Sequence, residues 1–130
     1  MAGVVLDTHV VQWWSAEPQR VSPAARDALE RADELAVSAI TWFELAWLAR
    51  RERIALTIPV QSWLDGLATH VRTIGVTPSI ATTATELPES FAGDVADRLI
   101  YATAIERDLT LVTKDRRFPE RHAGRALTLW

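Results

Sequence analysis

Two short runs with apolar residues at their centre each lead to an acid: Gly3-Val4-Val5-Leu6 gives way to Asp7, and Thr110-Leu111-Val112-Thr113, through Lys114, to Asp115. A third acid, Glu44, sits among Ile40, Thr41, Trp42, Phe43, Leu45, Ala46, Trp47 and Leu48. Asp94 and Asp97 stand three residues apart where a helical pattern begins, a spacing that puts both near one face of the first turn. Most of these have an ordinary explanation: Asp closes strands as a turn former, and acids in a first helical turn favour the helix dipole. Glu44 is harder to dismiss. A helix this apolar is expected to be buried on most of its surface, where an unpaired carboxylate costs several kcal/mol or takes up a proton. It must meet an arginine, face a solvated cleft or bind a cation. If the fold brings all five acids to one rim, their repulsion calls for a hard divalent cation, and Mg²⁺ or Mn²⁺ takes oxygen ligands. Such a site suits metal-assisted phosphodiester hydrolysis, in which the ion makes hydroxide from water.

The elements that would position these acids read as short strands alternating with longer helices. Strands are expected at Gly3–Leu6, Leu35–Ser38, Thr73–Val76, Thr110–Thr113 and Ala126–Leu129. The first is apolar on both faces, as in a parallel sheet covered on both sides. Helices are expected through Val10–Trp14, from Ser22-Pro23 through Ala25, Leu29 and Ala32, over Ile40–Arg50, from Pro59 through Val60, Trp63, Leu64, Leu67, Ala68 and Val71, from Thr77-Pro78, and over Val95–Glu106. Ser-Pro and Thr-Pro are N-cap plus first-turn proline signals. The pattern predicts an α/β/α sandwich around a mostly parallel five-stranded sheet, and ligands of such sheets gather beyond the carboxyl ends of the strands.

With 130 residues the chain suits one domain. It has no cysteine, which removes thiol chemistry and Cys-ligated metals. No apolar run approaches the ~18 residues of a membrane span, and no charged leader precedes the first apolar run, so a cytoplasmic protein is expected. The formal charge is −3, from 14 Lys+Arg against 17 Asp+Glu, so affinity for a nucleic acid has to come from a local patch. Lys114, Arg116, Arg117, Arg121 and Arg125 form one beside Asp115, and Arg98 could extend it. There is no glycine-rich phosphate loop, and Asp7-Thr8-His9 lacks the second acid of an Asp-x-Asp phosphatase nucleophile. Six tryptophans are many for this length. Trp13, Trp14, Trp42 and Trp47 come from segments flanking the acids; some must be core, while others could form an exposed apolar groove of the kind that receives a partner.

At these residues the sequence resembles the PIN domains, in particular the VapC-type ribonuclease toxins of type II toxin–antitoxin systems, over residues 1–130 as a single domain. The resemblance is carried in order by Val5-Leu6-Asp7-Thr8-His9-Val10, by Val37-Ser38-Ala39-Ile40-Thr41 with Glu44-Leu45-Ala46, by Gly93-Asp94-Val95-Ala96-Asp97-Arg98-Leu99-Ile100-Tyr101-Ala102-Thr103-Ala104 and by Leu111-Val112-Thr113-Lys114-Asp115. Trp13-Trp14 also matches one subgroup. The resemblance implies Asp7, Glu44, Asp97 and Asp115 as an acidic quartet around Mg²⁺ or Mn²⁺, Asp94 as an additional acid, and Thr8 and Thr113 as orienters of ligands or water. Arg98, Lys114, Arg116 and Arg117 are the expected RNA contacts. It further implies a VapB-type antitoxin whose C-terminal segment covers the site, and a homodimer within a larger complex. Val95 stands where the subgroup usually has proline, and Ala92 where histidine is frequent. Against this enzyme stands a PIN fold that docks RNA or protein without cutting; the intact acids argue for the enzyme.

Overall fold

The computed structural model describes residues 2–130. Its central sheet has five strands in the order β3-β2-β1-β4-β7, every neighbouring pair parallel. The strands are β1 (Val4–Leu6), β2 (Leu35–Ser38), β3 (Arg72–Ile74), β4 (Thr110–Val112) and β7 (Thr128–Leu129). Successive side chains point to opposite faces. Val4 and Leu6 of β1 therefore join one core, with Val37 and Val112, while Val5 joins the other, with Ala36 and Leu111. All seven are fully buried, as expected of a sheet covered on both sides.

Helices α1 (Thr8–Ala16), α2 (Pro23–Arg31), α3 (Ala39–Arg50) and α4 (Val60–Ala68) send Val10, Val11, Ala25, Leu29, Leu45 and Leu67 into the first core. The second core is filled from α5 (Pro78–Glu86) and α6 (Val95–Glu106) by Ile80, Ala84, Ile100, Tyr101, Ala102 and Ala104. The expected caps are present: Ser22 accepts from the Ala25 amide at 3.0 Å and Thr77 from the Ile80 amide at 3.2 Å, each followed by proline.

Several expectations need correction. Pro59 is the N-cap of α4 rather than its first residue, and Ala68 is exposed. The last expected strand divides: β6 (Arg125–Ala126) forms an antiparallel hairpin with β5 (Arg121–His122), and only β7 joins the sheet. Gly124, at φ +80°, makes the hairpin turn in a conformation that suits glycine. Most importantly, α3 buries only Thr41 and Leu45 fully, and Phe43 and Trp47 remain 62% and 45% exposed. A helix laid on a sheet can bury only one stripe, so an all-apolar helix leaves greasy surface outside. Trp13 is core rather than groove, at 8% exposure.

Candidate active site

β1 lies between β2 and β4, and the β1–β4 register sets Leu6 beside Val112. The residues that follow each strand are therefore neighbours across the carboxyl edge of the sheet. Asp7 donates its backbone amide to the Val112 carbonyl at 3.0 Å, and its side chain accepts from the Thr113 hydroxyl at 2.7 Å and the Thr8 amide at 2.8 Å. Thr113 in turn accepts from the Asp115 amide at 3.0 Å, linking the two acids that end β1 and β4. Asp7 is 6% exposed, and burial pushes its carboxyl up despite these donors.

Glu44 reaches this edge from α3. The Thr8 hydroxyl donates to it at 2.5 Å, and Thr8 lies 3.2 Å from the buried Thr41 hydroxyl, one turn before Glu44. Burial raises the Glu44 carboxyl to about 7, and the charges of Asp94, Asp97 and Asp7 push in the same direction. Asp97 is raised to about 6, chiefly by burial and further by Asp94 and Asp7. The four acids feel one another, as expected of carboxylates crowded at one edge. Asp115 behaves oppositely: its hydrogen bonds with Arg117 hold it below the usual carboxylate range. Asp94 is exposed and forms a capping box with Asp97: Asp94 Oδ1 accepts from the Asp97 amide at 2.9 Å, and the Asp94 amide donates to Asp97 Oδ2 at 3.1 Å.

The chain's donor set is all oxygen, brought from the ends of β1 and β4 and from α3 and α6, and the charges of Asp7, Asp94 and Asp97 raise the proton affinity of Glu44. That chemistry fits a hard divalent cation. Among the described residues, no three acidic or imidazole side chains already close around one ion; hydroxyls hold Asp7 and Glu44, and an arginine holds Asp115.

The PIN domain family model matches residues 4–123. The chain belongs to the PIN-domain family. It is 65% identical over 130 residues to Ribonuclease VapC22 of Mycobacterium tuberculosis, covering all of both chains, which makes it a VapC-type PIN domain. Solved structures share the fold. A DNA-bound VapBC from Salmonella typhimurium matches with a TM-score of 0.70 at 20% identity, over 99% of this chain and 98% of that one. A toxin–antitoxin complex from Klebsiella pneumoniae matches with a TM-score of 0.68 at 23% identity, over 98% of this chain and 96% of that one.

With Val95 at the first helical position, the helix start is capped by the Asp94–Asp97 box, which pairs the Asp94 and Asp97 amides. Two further residues position the acids. A Cβ on Gly93 would meet Asp97 Cβ at 2.5 Å and Phe91 at 2.8 Å, so only glycine lets the loop pass behind Asp97. Thr41, a buried hydroxyl at helical spacing before Glu44, stands in the motif around that acid with no role assigned to it by the sequence; its contact with the Thr8 hydroxyl supplies one.

The basic residues divide. Arg98 is spent within the fold: it donates to the carbonyls of Ala84 at 3.2 Å, Leu87 at 3.1 Å and Pro88 at 3.0 Å, closing the end of α5. Arg125 likewise donates to Leu109 and Ala104. Arg117 is held by Asp115. Lys114 and Arg116 are exposed, without an ion pair among the described residues, with the Lys114 ammonium 5.7 Å from the Trp13 ring centre. They line a groove of about 660 Å³ with Asp115, Arg121 and Trp130. Replacing Arg98 by alanine strands three carbonyls and should cost about 1–3 kcal/mol in chemical denaturation. An unchanged midpoint would mean that water replaces the guanidinium at no cost.

Proposed function

We propose that this PIN domain is a Mg²⁺- or Mn²⁺-dependent endoribonuclease, the toxin of a type II toxin–antitoxin pair in the cytoplasm, restrained by a VapB-type antitoxin. The convergence of Asp7, Glu44, Asp97 and Asp115 on one edge of the sheet carries the reading. The names of its relatives, a VapC ribonuclease and VapBC complexes, support it. VapC-type PIN ribonucleases generally depend on a divalent metal.

Asp7, Glu44, Asp97 and Asp115 would hold the ion, with Asp94 at the margin. When bound, the ion supplies hydroxide at neutral pH and offsets charge on the phosphate in flight. The chain's own part is orientation. Thr113 fixes one oxygen of Asp7 and Thr8 one oxygen of Glu44, leaving their remaining lone pairs for the cleft. Lys114 and Arg116 would bind the phosphates flanking the scissile bond. The exposed Phe43 and Trp47 rings stack at 6.0 Å near Glu44, and exposed Val95 lines the same hollow of about 520 Å³. This apolar ground fits an association face, for the second copy of a homodimer or for the antitoxin.

The test is cleavage of single-stranded RNA by the chain freed of antitoxin. Cutting should need Mg²⁺ or Mn²⁺ and stop with EDTA; RNA bound but never cut, with the ion in place, would favour a non-catalytic binding module. The double change Lys114→Ala and Arg116→Ala should weaken RNA binding and flatten its salt slope by about 1.4, two phosphates at about 0.7 each. Mn²⁺ affinity should stay unchanged in the same calorimetric series. Undiminished RNA binding would move the substrate track away from this groove.

A further inference from the structure

Arg117 stands where the ion-binding reading needs open carboxylates. Its backbone amide donates to Asp115 Oδ1 at 2.9 Å, its Nε lies 3.0 and 3.1 Å from the two Asp115 oxygens, and its Nη2 donates to Oδ2 at 2.6 Å. The same Nη2 lies 3.7 Å from Asp97 Oδ2, so one guanidinium spans acids from two different elements. The hollow bounded by Gly93, Asp97, Asp115, Arg117 and Phe118 has no room for a water-sized sphere. The neighbouring Arg116 carries the same charge on the same loop and has no ion pair among the described residues.

We propose that Arg117 is a built-in counter-cation: it holds Asp115 and Asp97 in the ion-free chain and must swing away before a divalent cation takes them. The inference rests on the metal reading of the site. A guanidinium and a divalent ion cannot share the Asp115 oxygens, because each uses the same lone pairs and the two cations repel. Arg117 therefore does two opposed things. It relieves carboxylate repulsion when no ion is present, and it lowers apparent ion affinity by the fraction of molecules in which it stays engaged. The side chain is 62% exposed, so nothing packed above it prevents the swing.

The test compares the full wild-type chain with Arg117→Gln, Arg117→Lys and Arg116→Gln. Mn²⁺ binding is measured by calorimetry, and melting temperature is measured in EDTA. Arg117→Gln should bind Mn²⁺ about three- to tenfold more tightly and melt lower without it. Arg117→Lys keeps the charge but not the fork, and should fall between it and the wild type. Arg116→Gln controls for the loss of one positive charge and should change affinity by less than about twofold. An equal gain from both glutamine variants would mean general electrostatics and would overturn the proposal. So would a loss of both stability and Mn²⁺ affinity in Arg117→Gln, the mark of a purely structural arginine. If wild type binds Mn²⁺ and Arg117→Gln binds it no better, this inference fails while the metal reading stands. If no chain binds Mn²⁺, both fail.

Discussion

Replacing Asp7 by asparagine is expected to lower RNA cleavage about a thousandfold or more while leaving the ion-free protein at least as stable as the wild type. The two halves of that result come from one environment. Asp7 is 6% exposed, and burial makes its charged form unfavourable, as its raised proton affinity records. Asparagine removes the charge and keeps an oxygen for the Thr8 amide, while its NH2 group replaces the oxygen that accepts from Thr113, so that bond must reverse, with the Thr113 hydroxyl accepting. A hard ion binds neutral amide oxygen much less well than carboxylate, so Mn²⁺ affinity should fall with activity. Cleavage rates in Mg²⁺ and melting curves in EDTA check the two halves separately. A melting temperature lowered by more than about 5 °C without metal would show that Asp7 holds the fold together rather than an ion.

The second large effect is a reversal of pH dependence by the ion. Without metal, Glu44 at about 7 and Asp97 at about 6 hold protons more tightly than their ordinary values of 4.5 and 3.8. Between those ordinary values and the raised ones the folded chain binds more protons than the unfolded chain. Stability in EDTA should therefore fall as pH rises through that window, and the raised Asp7 carboxyl adds to the fall. Asp115 works the other way, but its held-down carboxyl loses its contribution only below the ordinary 3.8. With saturating Mn²⁺ the sign inverts, because the ion needs deprotonated ligands. Affinity should rise with pH by up to about tenfold per unit for each proton displaced, and melting temperature should rise with it. Melting curves across pH 5–8, with EDTA and with Mn²⁺, supply the check. Metal-free curves that rise across this range would contradict the carboxylate crowding.

How much of this could be read from the chain differs by residue. β1, β2 and β4 were legible because runs such as Val4-Val5-Leu6 are apolar on both faces, which only a sheet covered on both sides accommodates. The helix starts at Ser22-Pro23 and Thr77-Pro78 were legible because capping is local chemistry between residues three apart. The placement of Asp7 and Asp115 past strand ends was equally local, but their adjacency depended on strand order. Only the pairing of β1 with β4 makes them neighbours, through Thr113.

Charge type was written in the sequence; charge partners were not. Arg98 and Arg117 read alike as basic residues near acids. In the fold one guanidinium closes the end of α5 and the other spans Asp115 and Asp97. A long flexible side chain can reach partners in several directions, and the packed surroundings choose among them. Gly93 and Thr41 show the same limit for small residues. Their roles are set by a loop so close to α6 that a Cβ on Gly93 would lie 2.5 Å from the Asp97 Cβ, and by a hydroxyl 33 residues from its partner Thr8. Amphipathic pattern failed for α3, whose apolar residues exceed what one sheet face can cover. By itself the sequence determined the buried strands β1, β2 and β4, the caps of α2 and α5 and the five acids, because those follow from local sterics and from which side chains water rejects. Tertiary structure alone decided which acids meet, which arginine holds them and which apolar face stays outside, because those depend on contacts between residues far apart in the chain.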